Sequence, residues 1–185
     1  MERRELLKMI AAATGAAMIG GTALLSGCAT QTANTRQFSA ADIALLDEVA
    51  ETMLPRTDTP GAKDAKVGEF IATFVSDCYT EQEQAIFHAG LQTLESLSRA
   101  SHQRSFAELN QAEREAFVNK LDAEARAAAA QGGAPHYFTM IKQLTLFGFF
   151  TSEPGATQVL RHIAIPGRYE GCAPYTPGER GWAFR

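Results

Sequence analysis

The sequence contains little of what would hold a metal ion or a cofactor. It has three cysteines and four histidines among 185 residues, and none stands in a C-x-x-C, C-x-x-C-H or H-E-x-x-H arrangement. This excludes the usual structural zinc, iron–sulfur and covalently attached haem sites. A G-x-G-x-x-G turn and a G-x-S-x-G turn are missing as well. We therefore expect no catalytic, cofactor-binding or metal-ligating residue in this chain.

Strand patterns and basic charge are also scarce. No hairpin motif and no useful alternation of apolar and polar residues occurs, which predicts an all-α class. The formal net charge is −4. The first 27 residues hold three basic and two acidic side chains, so 14 basic and 19 acidic residues follow them. This excess of acid argues against a nucleic-acid partner.

The N-terminal segment has the pattern of an export signal. The twin arginines Arg3 and Arg4 precede an uncharged stretch, residues 9–25, whose Ala, Gly and Thr make it less apolar than a membrane span. We predict a twin-arginine signal peptide over residues 1–27, read by the translocase that exports folded proteins. The alternative is a permanent N-terminal anchor helix.

The signal ends in a pattern that resembles a lipobox, residues 25–28 (LSGC). It predicts that Cys28 is lipidated and holds the chain at the membrane on the periplasmic side. Small residues before a cysteine also suit ordinary cleavage, which stays an alternative. Residues 28–38 are small and polar and are interpreted as a flexible tether.

Residues 39–185 are predicted to form a single helical bundle of about five helices. Ser39 is the expected N-cap of the first helix, and capping boxes precede the third and fourth. The fifth is apolar on all sides, which is typical of a buried central helix. The predicted helices span roughly residues 40–54, 67–79, 81–100, 111–130 and 136–151. A short helical piece is expected at residues 155–162.

The isolated polar residues of the bundle are expected to be solvated or capping. This applies to the four dispersed histidines and to the acidic residues at 81–83, 122 and 124. The last twenty residues, 166–185, contain three prolines and four glycines and form an irregular extension. Its aromatic residues either cover the core of this domain or dock on a partner.

Five segments of the chain carry a family resemblance. They are 38–46 (FSAADIALL), 53–62 (MLPRTDTPGA), 145–156 (TLFGFFTSEPGA), 166–174 (PGRYEGCAP) and 181–183 (GWA). Together these segments resemble the gluconate 2-dehydrogenase subunit 3 family. The resemblance implies a non-catalytic small subunit of a periplasmic, membrane-bound dehydrogenase. FAD would then belong to a large subunit of the glucose-methanol-choline type, which oxidises sugars or sugar acids, and a multihaem cytochrome c in a third subunit can accept the electrons.

Partner docking is expected at two loop regions, because loops on a rigid bundle commonly carry recognition. They are residues 55–62 and residues 152–182, and the residues singled out are Pro60, Gly61, Tyr169, Cys172 and Trp182. The Pro60-Gly61 turn has an alternative role as a simple connection between two helices. For Cys172 three states are open: a bridge to Cys78, a disulfide to the large subunit, or a free thiol.

These observations lead to two functional hypotheses. In the first, the chain binds the flavoprotein in the cytoplasm, stabilises it and escorts it through the twin-arginine translocase. In the second, it is a free-standing periplasmic lipoprotein that binds a small ligand or another partner. The second requires a concave apolar pocket with convergent polar groups.

Overall fold

Five α-helices make up most of the structure. This computed structural model describes residues 37–132, 135–165, 167, 171–172 and 174–183. The helices are α1 (Ala40–Met53), α2 (Val67–Cys78), α3 (Glu81–His102), α4 (Gln111–Ala130) and α5 (Tyr137–Thr151). A 3₁₀ turn, Phe106–Glu108, precedes α4, and a π-helical turn, Gly155–Val159, follows α5. Apart from one isolated bridge, the described residues form no strand, so the all-α prediction is confirmed.

The predicted signal peptide and tether lie outside the described residues. This applies to Arg3, Arg4 and Cys28, and Tyr169 near the other end lies outside them too. The signal, the lipidation site and the role of Tyr169 therefore stay predictions.

Local capping sets the helix starts, as the sequence indicates. At α1 the Ser39 hydroxyl accepts from the Asp42 amide at 3.2 Å, and the Asp42 carboxylate accepts from the Ser39 amide at 2.9 Å. This reciprocal pair satisfies two amides that a helix start leaves free. The same motif starts α3 and α4, with Thr80 and Glu83, and with Asn110 and Glu113. His136 caps α5.

The core lies where α5 packs against α2, α3 and α4. The buried side chains of α5 include Phe138, Ile141 and Phe149. Its outer side is different, because Leu146 is 40% exposed and Phe147 is 48% exposed. The prediction that this helix is buried all round is therefore wrong on one side. Neighbouring helices cover only part of its circumference.

One polar side chain that was expected in solvent is enclosed instead. His88 is buried on α3, and its ring lies 4.4 Å from that of Phe38, which precedes α1. Helix periodicity does not predict this burial, since Phe38 is distant in sequence. Asp122 on α4 is 18% exposed and forms ion pairs with Arg126 of the same helix and with Lys142 of α5.

The connection between α1 and α2 is fastened to α1 by Glu51. Its carboxylate accepts from the backbone amides of Arg56 and Lys63, both at 2.8 Å. Gly61 is buried beside it and donates its amide to Asp64 at 2.8 Å. A Cβ added at Gly61 would lie 2.5 Å from the Glu51 carboxylate and 2.6 Å from the Arg56 nitrogen. The close approach of the chain to Glu51 thus requires glycine.

Glu48 joins α1 to α4. It accepts from the Lys63 ammonium at 2.7 Å and from the Arg114 guanidinium at 2.5 Å. Arg114 is 17% exposed, also donates to the Ala107 carbonyl at 2.5 Å, and lies over the Phe106 ring at 5.8 Å. Burial raises the pKa of Glu48, but the Lys63 hydrogen bond and the Arg114 charge outweigh it, so the net pKa is lowered. Glu48 therefore remains ionised at the contact between α1 and α4.

Replacing Gly61 should destabilise the protein. Gly61→Ala forces a methyl group against Glu51 and Arg56, and we expect a loss of about 1–3 kcal/mol in the free energy of unfolding, measured by urea denaturation. Gly181→Ala is the matched control, because an added Cβ there meets only Leu160 at 3.7 Å. Equal stability of the two variants would contradict the proposed crowding.

The Glu48 ion pairs should make stability depend on pH. Since the folded pKa of Glu48 is lowered, its contribution is complete above the unfolded value of roughly 4.3 and is lost as the pH falls through the folded value. Desolvation raises the pKa of Asp47, which offsets part of this loss. We expect Glu48→Gln to cost about 1–3 kcal/mol at neutral pH and to show a shallower acid decline. If the free energies of unfolding of wild type and Glu48→Gln, measured by urea denaturation, fell equally steeply with decreasing pH, this prediction would be wrong.

Candidate interaction surfaces

An open cleft of about 340 Å³ lies between α1, α4 and α5. The buried Val118 and Phe138 contribute to its lining, and Leu146 lines it from the exposed side of α5. An apolar surface thus meets several polar side chains in one concave site. The lining consists of Thr52, Met53, Glu115, Val118, Asn119, Asp122, Phe138, Lys142 and Leu146.

The charges of the cleft are only partly balanced. Asp122 accepts from the Lys142 ammonium at 2.6 Å and lies 2.5 Å from the Arg126 guanidinium. The hydrogen bond from Lys142 lowers the pKa of Asp122, which keeps this carboxyl ionised. The Glu115 carboxylate accepts from the Gln111 amide at 2.7 Å, and no cation of the described residues pairs with it. Glu115 is therefore the carboxylate of the cleft that has no cation of its own, although the two cations on Asp122 make these four charged side chains neutral in sum.

A second surface, the aromatic face, consists of Phe70, Phe74, Tyr79 and Phe147. The Phe147 ring lies 5.6 Å from that of Phe70 and 5.7 Å from that of Phe74, while Tyr79 lies 5.9 Å from Phe74. These are edge-to-face contacts, which favour a fixed cluster. A Cβ added at Gly148 would run into the Phe70 ring, so glycine lets α2 approach α5 here.

The predicted docking loop, residues 55–62, is tied into the bundle. Gly61 is buried and Pro60 is half-buried, whereas Arg56 is exposed and forms an ion pair with Asp64. The Ala62 amide also donates to the Leu54 carbonyl at 2.9 Å. Gly61 thus takes part in the connection between α1 and α2, which was the alternative role of the Pro60-Gly61 turn. Docking through the exposed part of this loop stays a prediction.

The described part of the C-terminal extension folds back on the end of the bundle. Arg161 exchanges backbone hydrogen bonds with Gly181 at 2.8 Å and Ala183 at 2.9 Å, and its guanidinium lies 4.3 Å from the Trp182 ring centre. Arg180 donates to the Gln158 carbonyl at 2.9 Å, which holds the segment to the π-helical turn.

The described aromatic residues of the extension differ in exposure. Trp182 is half-buried and packs on Arg161, whereas Tyr175 is 65% exposed. Ile163 and Ile165 are exposed as well. Covering the core of this domain stays one of the two alternatives. Contact with a partner stays a prediction.

Cys78 and Cys172 are free and exposed. Cys78 ends α2 next to Tyr79 of the aromatic face, and Cys172 lies in the extension. The structure does not join these two thiols, so the intramolecular bridge is absent from it. A free thiol or a disulfide to a partner remains for Cys172.

The described residues show neither a metal-binding cluster nor a membrane-spanning helix. No group of three or more His, Cys, Asp or Glu residues there is arranged to hold a metal ion. None of the helices in those ranges is long and apolar enough to cross a membrane. The cleft and the aromatic face were not predicted from the sequence. The signal that could have indicated these surfaces was the surplus of apolar residues on α5, which was interpreted as complete burial of this helix.

A helical bundle with an open cleft and a partly exposed aromatic cluster has the features of a protein that binds a partner. A family model described as gluconate 2-dehydrogenase subunit 3 matches residues 40–167. The chain belongs to this family, which confirms the resemblance seen in its sequence, and at that level it is an accessory subunit of a dehydrogenase complex. Comparisons with curated proteins and with solved structures gave no match.

The exposed thiols predict the outcome of native labelling. In the mature subunit, maleimide added without reductant should label both Cys78 and Cys172, giving two labels mapped by peptide mass spectrometry. Cys78→Ser and Cys172→Ser should each retain one of these labels. Failure of both positions to react until reductant is added would contradict the free thiols and indicate a bridge. Labelling of Cys78 alone would indicate a disulfide from Cys172 to a partner.

Proposed function

We propose that this chain is the non-catalytic small subunit of a periplasmic, membrane-associated, FAD-dependent dehydrogenase that oxidises sugars or sugar acids. The family match over residues 40–167 is the observation that carries the proposal. The large subunit, of the glucose-methanol-choline type, holds FAD and performs the oxidation. A multihaem cytochrome c in a third subunit receives the electrons.

The proposed task of this subunit is to stabilise and export its partner. The sequence has a twin-arginine pattern at Arg3-Arg4 but no cofactor motif of its own. That pathway exports proteins already folded, so a flavoprotein bound to this chain would cross with its FAD in place. Lipidation of Cys28 would then hold the complex at the membrane.

The bundle supports this task by having a core that does not depend on a partner. Its largest fully buried side chains include Phe87, Phe106 and Phe138, each covered by the helices of this chain. Apolar surface nevertheless remains outside at Leu146 and Phe147. A subunit of this kind folds first and then offers a prepared surface, which lowers the entropic cost of binding.

The cleft favours one second candidate, a free-standing periplasmic lipoprotein with a small ligand. Its volume of about 340 Å³ lies at the lower end of the range of about 300–1,000 Å³ for ligand pockets. Such pockets bury about 70–90% of a ligand, whereas this cleft is open at Leu146. Recovery of a monomer without flavoprotein after gentle extraction would favour this candidate.

Removing the signal tests the escort function. With residues 1–27 deleted, the flavoprotein partner should remain in the cytoplasm, and dehydrogenase activity with an artificial electron acceptor should disappear from the periplasmic and membrane fractions. A Cys28→Ser variant is the control, since it should still be exported and should lose only its membrane attachment. Normal arrival of the flavoprotein without the signal would refute the escort function.

A further inference from the structure

Leu146 is an apolar side chain that lines a concave site and that the bundle leaves partly uncovered. It lines the cleft together with Met53 and Val118 and is 40% exposed. Covering apolar surface makes a favourable contribution in proportion to the area removed from water. An apolar side chain from outside would gain this contribution, and the concave shape would increase its contact area.

Glu115 specifies the charge of the occupant. Asp122 is already paired with Lys142 and Arg126, whereas the only hydrogen bond to Glu115 from the described residues comes from Gln111. A partner that covered Glu115 without supplying a cation would leave a partly buried carboxylate unpaired, which is unfavourable. The partner surface next to the apolar side chain should therefore be basic.

We propose that the cleft between α1, α4 and α5 binds the dehydrogenase large subunit, which inserts an apolar side chain beside Leu146 and a neighbouring lysine or arginine beside Glu115. This inference rests on the proposed function and adds its docking surface. The aromatic face begins at the next residue of α5, Phe147, which points about 100° away from Leu146 around the helix.

Charge also argues against a second copy of this chain as the occupant. The protein is acidic, with a formal net charge of −4, and a copy would have to place basic residues against Glu115. Complementary charges favour the correct pair, and like charges oppose the wrong one. A basic surface on a different subunit therefore suits the cleft better.

Co-purification of the full-length chain with a tagged large subunit tests the proposal. Leu146→Asp should reduce the affinity at least about tenfold, as expected for an interface hot spot. Glu115→Lys should reduce it several-fold, and the wild-type complex should weaken as the salt concentration rises. Leu146→Gln should act in the same direction as Leu146→Asp without adding a charge.

Two matched variants control for surface changes elsewhere. Leu97→Asp alters a leucine on α3 of similar exposure, 36%, which does not line the cleft. Glu124→Lys reverses a charge on α4 about half a turn away from Glu115 in helical projection. Both should bind like wild type. Melting curves by circular dichroism should show that all variants are folded.

The outcomes separate this inference from the proposed function. If wild type retains no flavoprotein, the proposed function fails, and this inference fails with it. If wild type retains it and the cleft variants bind like their controls, only the cleft assignment is overturned. A homodimer that Leu146→Asp dissociates, or a small molecule seen by native mass spectrometry of wild type and lost in that variant, would also overturn it.

Discussion

The bridge from Glu48 to Arg114 determines how α1 and α4 meet, and the cleft depends on it. The pair draws Arg114 inward over Phe106, while the next residue, Glu115, lines the cleft. The same carboxylate holds Lys63 of the α1–α2 connection. A charge-assisted pair with Arg114 only 17% exposed is strong because little water competes for it. The Glu48 side chain thus holds the α1–α2 connection in place. It also fixes the packing of α1 against α4, which forms one side of the candidate docking site.

The outer side of α5 adds a second constraint. Leu146 and Phe147 are adjacent in sequence and therefore lie about 100° apart around the helix. One of them lines the cleft and the other joins the aromatic face, so a single helix supplies exposed apolar surface to both. Gly148 follows and allows α2 to pack closely, which brings Phe70 to Phe147. Close packing inside the bundle and the apolar surface outside it thus come from one short run of α5.

The sequence correctly predicted the features that depend on residues close to one another in the chain, such as the starts of helices. Ser39, Thr80 and Asn110 start their helices through hydrogen bonds three residues away, so the sequence alone locates them. Burial of His88 depends on Phe38, which is distant in sequence, and the expected exposure of His88 was wrong. Asp122 pairs both with Arg126, one turn along the same helix, and with Lys142 of α5, and only the first of these pairs is local. The apolar pattern of α5 identified a helix but not its exposed side, because periodicity does not show which neighbours are present. The cleft could not be predicted from the sequence for the same reason, because residues of three different helices line it.

In the proposed function, the complete core and the exposed surfaces allow this chain to fold before it binds its partner. A chain that needed its partner to cover Phe87, Phe106 or Phe138 would fold only on binding and would spend binding energy on ordering itself. Here those side chains are covered within the bundle, and capping boxes fix the starts of three helices. The groups proposed to meet the partner, which include Leu146, Phe147 and the charge of Glu115, are surface features. Folding can therefore precede docking, and both can precede export by a pathway that carries folded proteins.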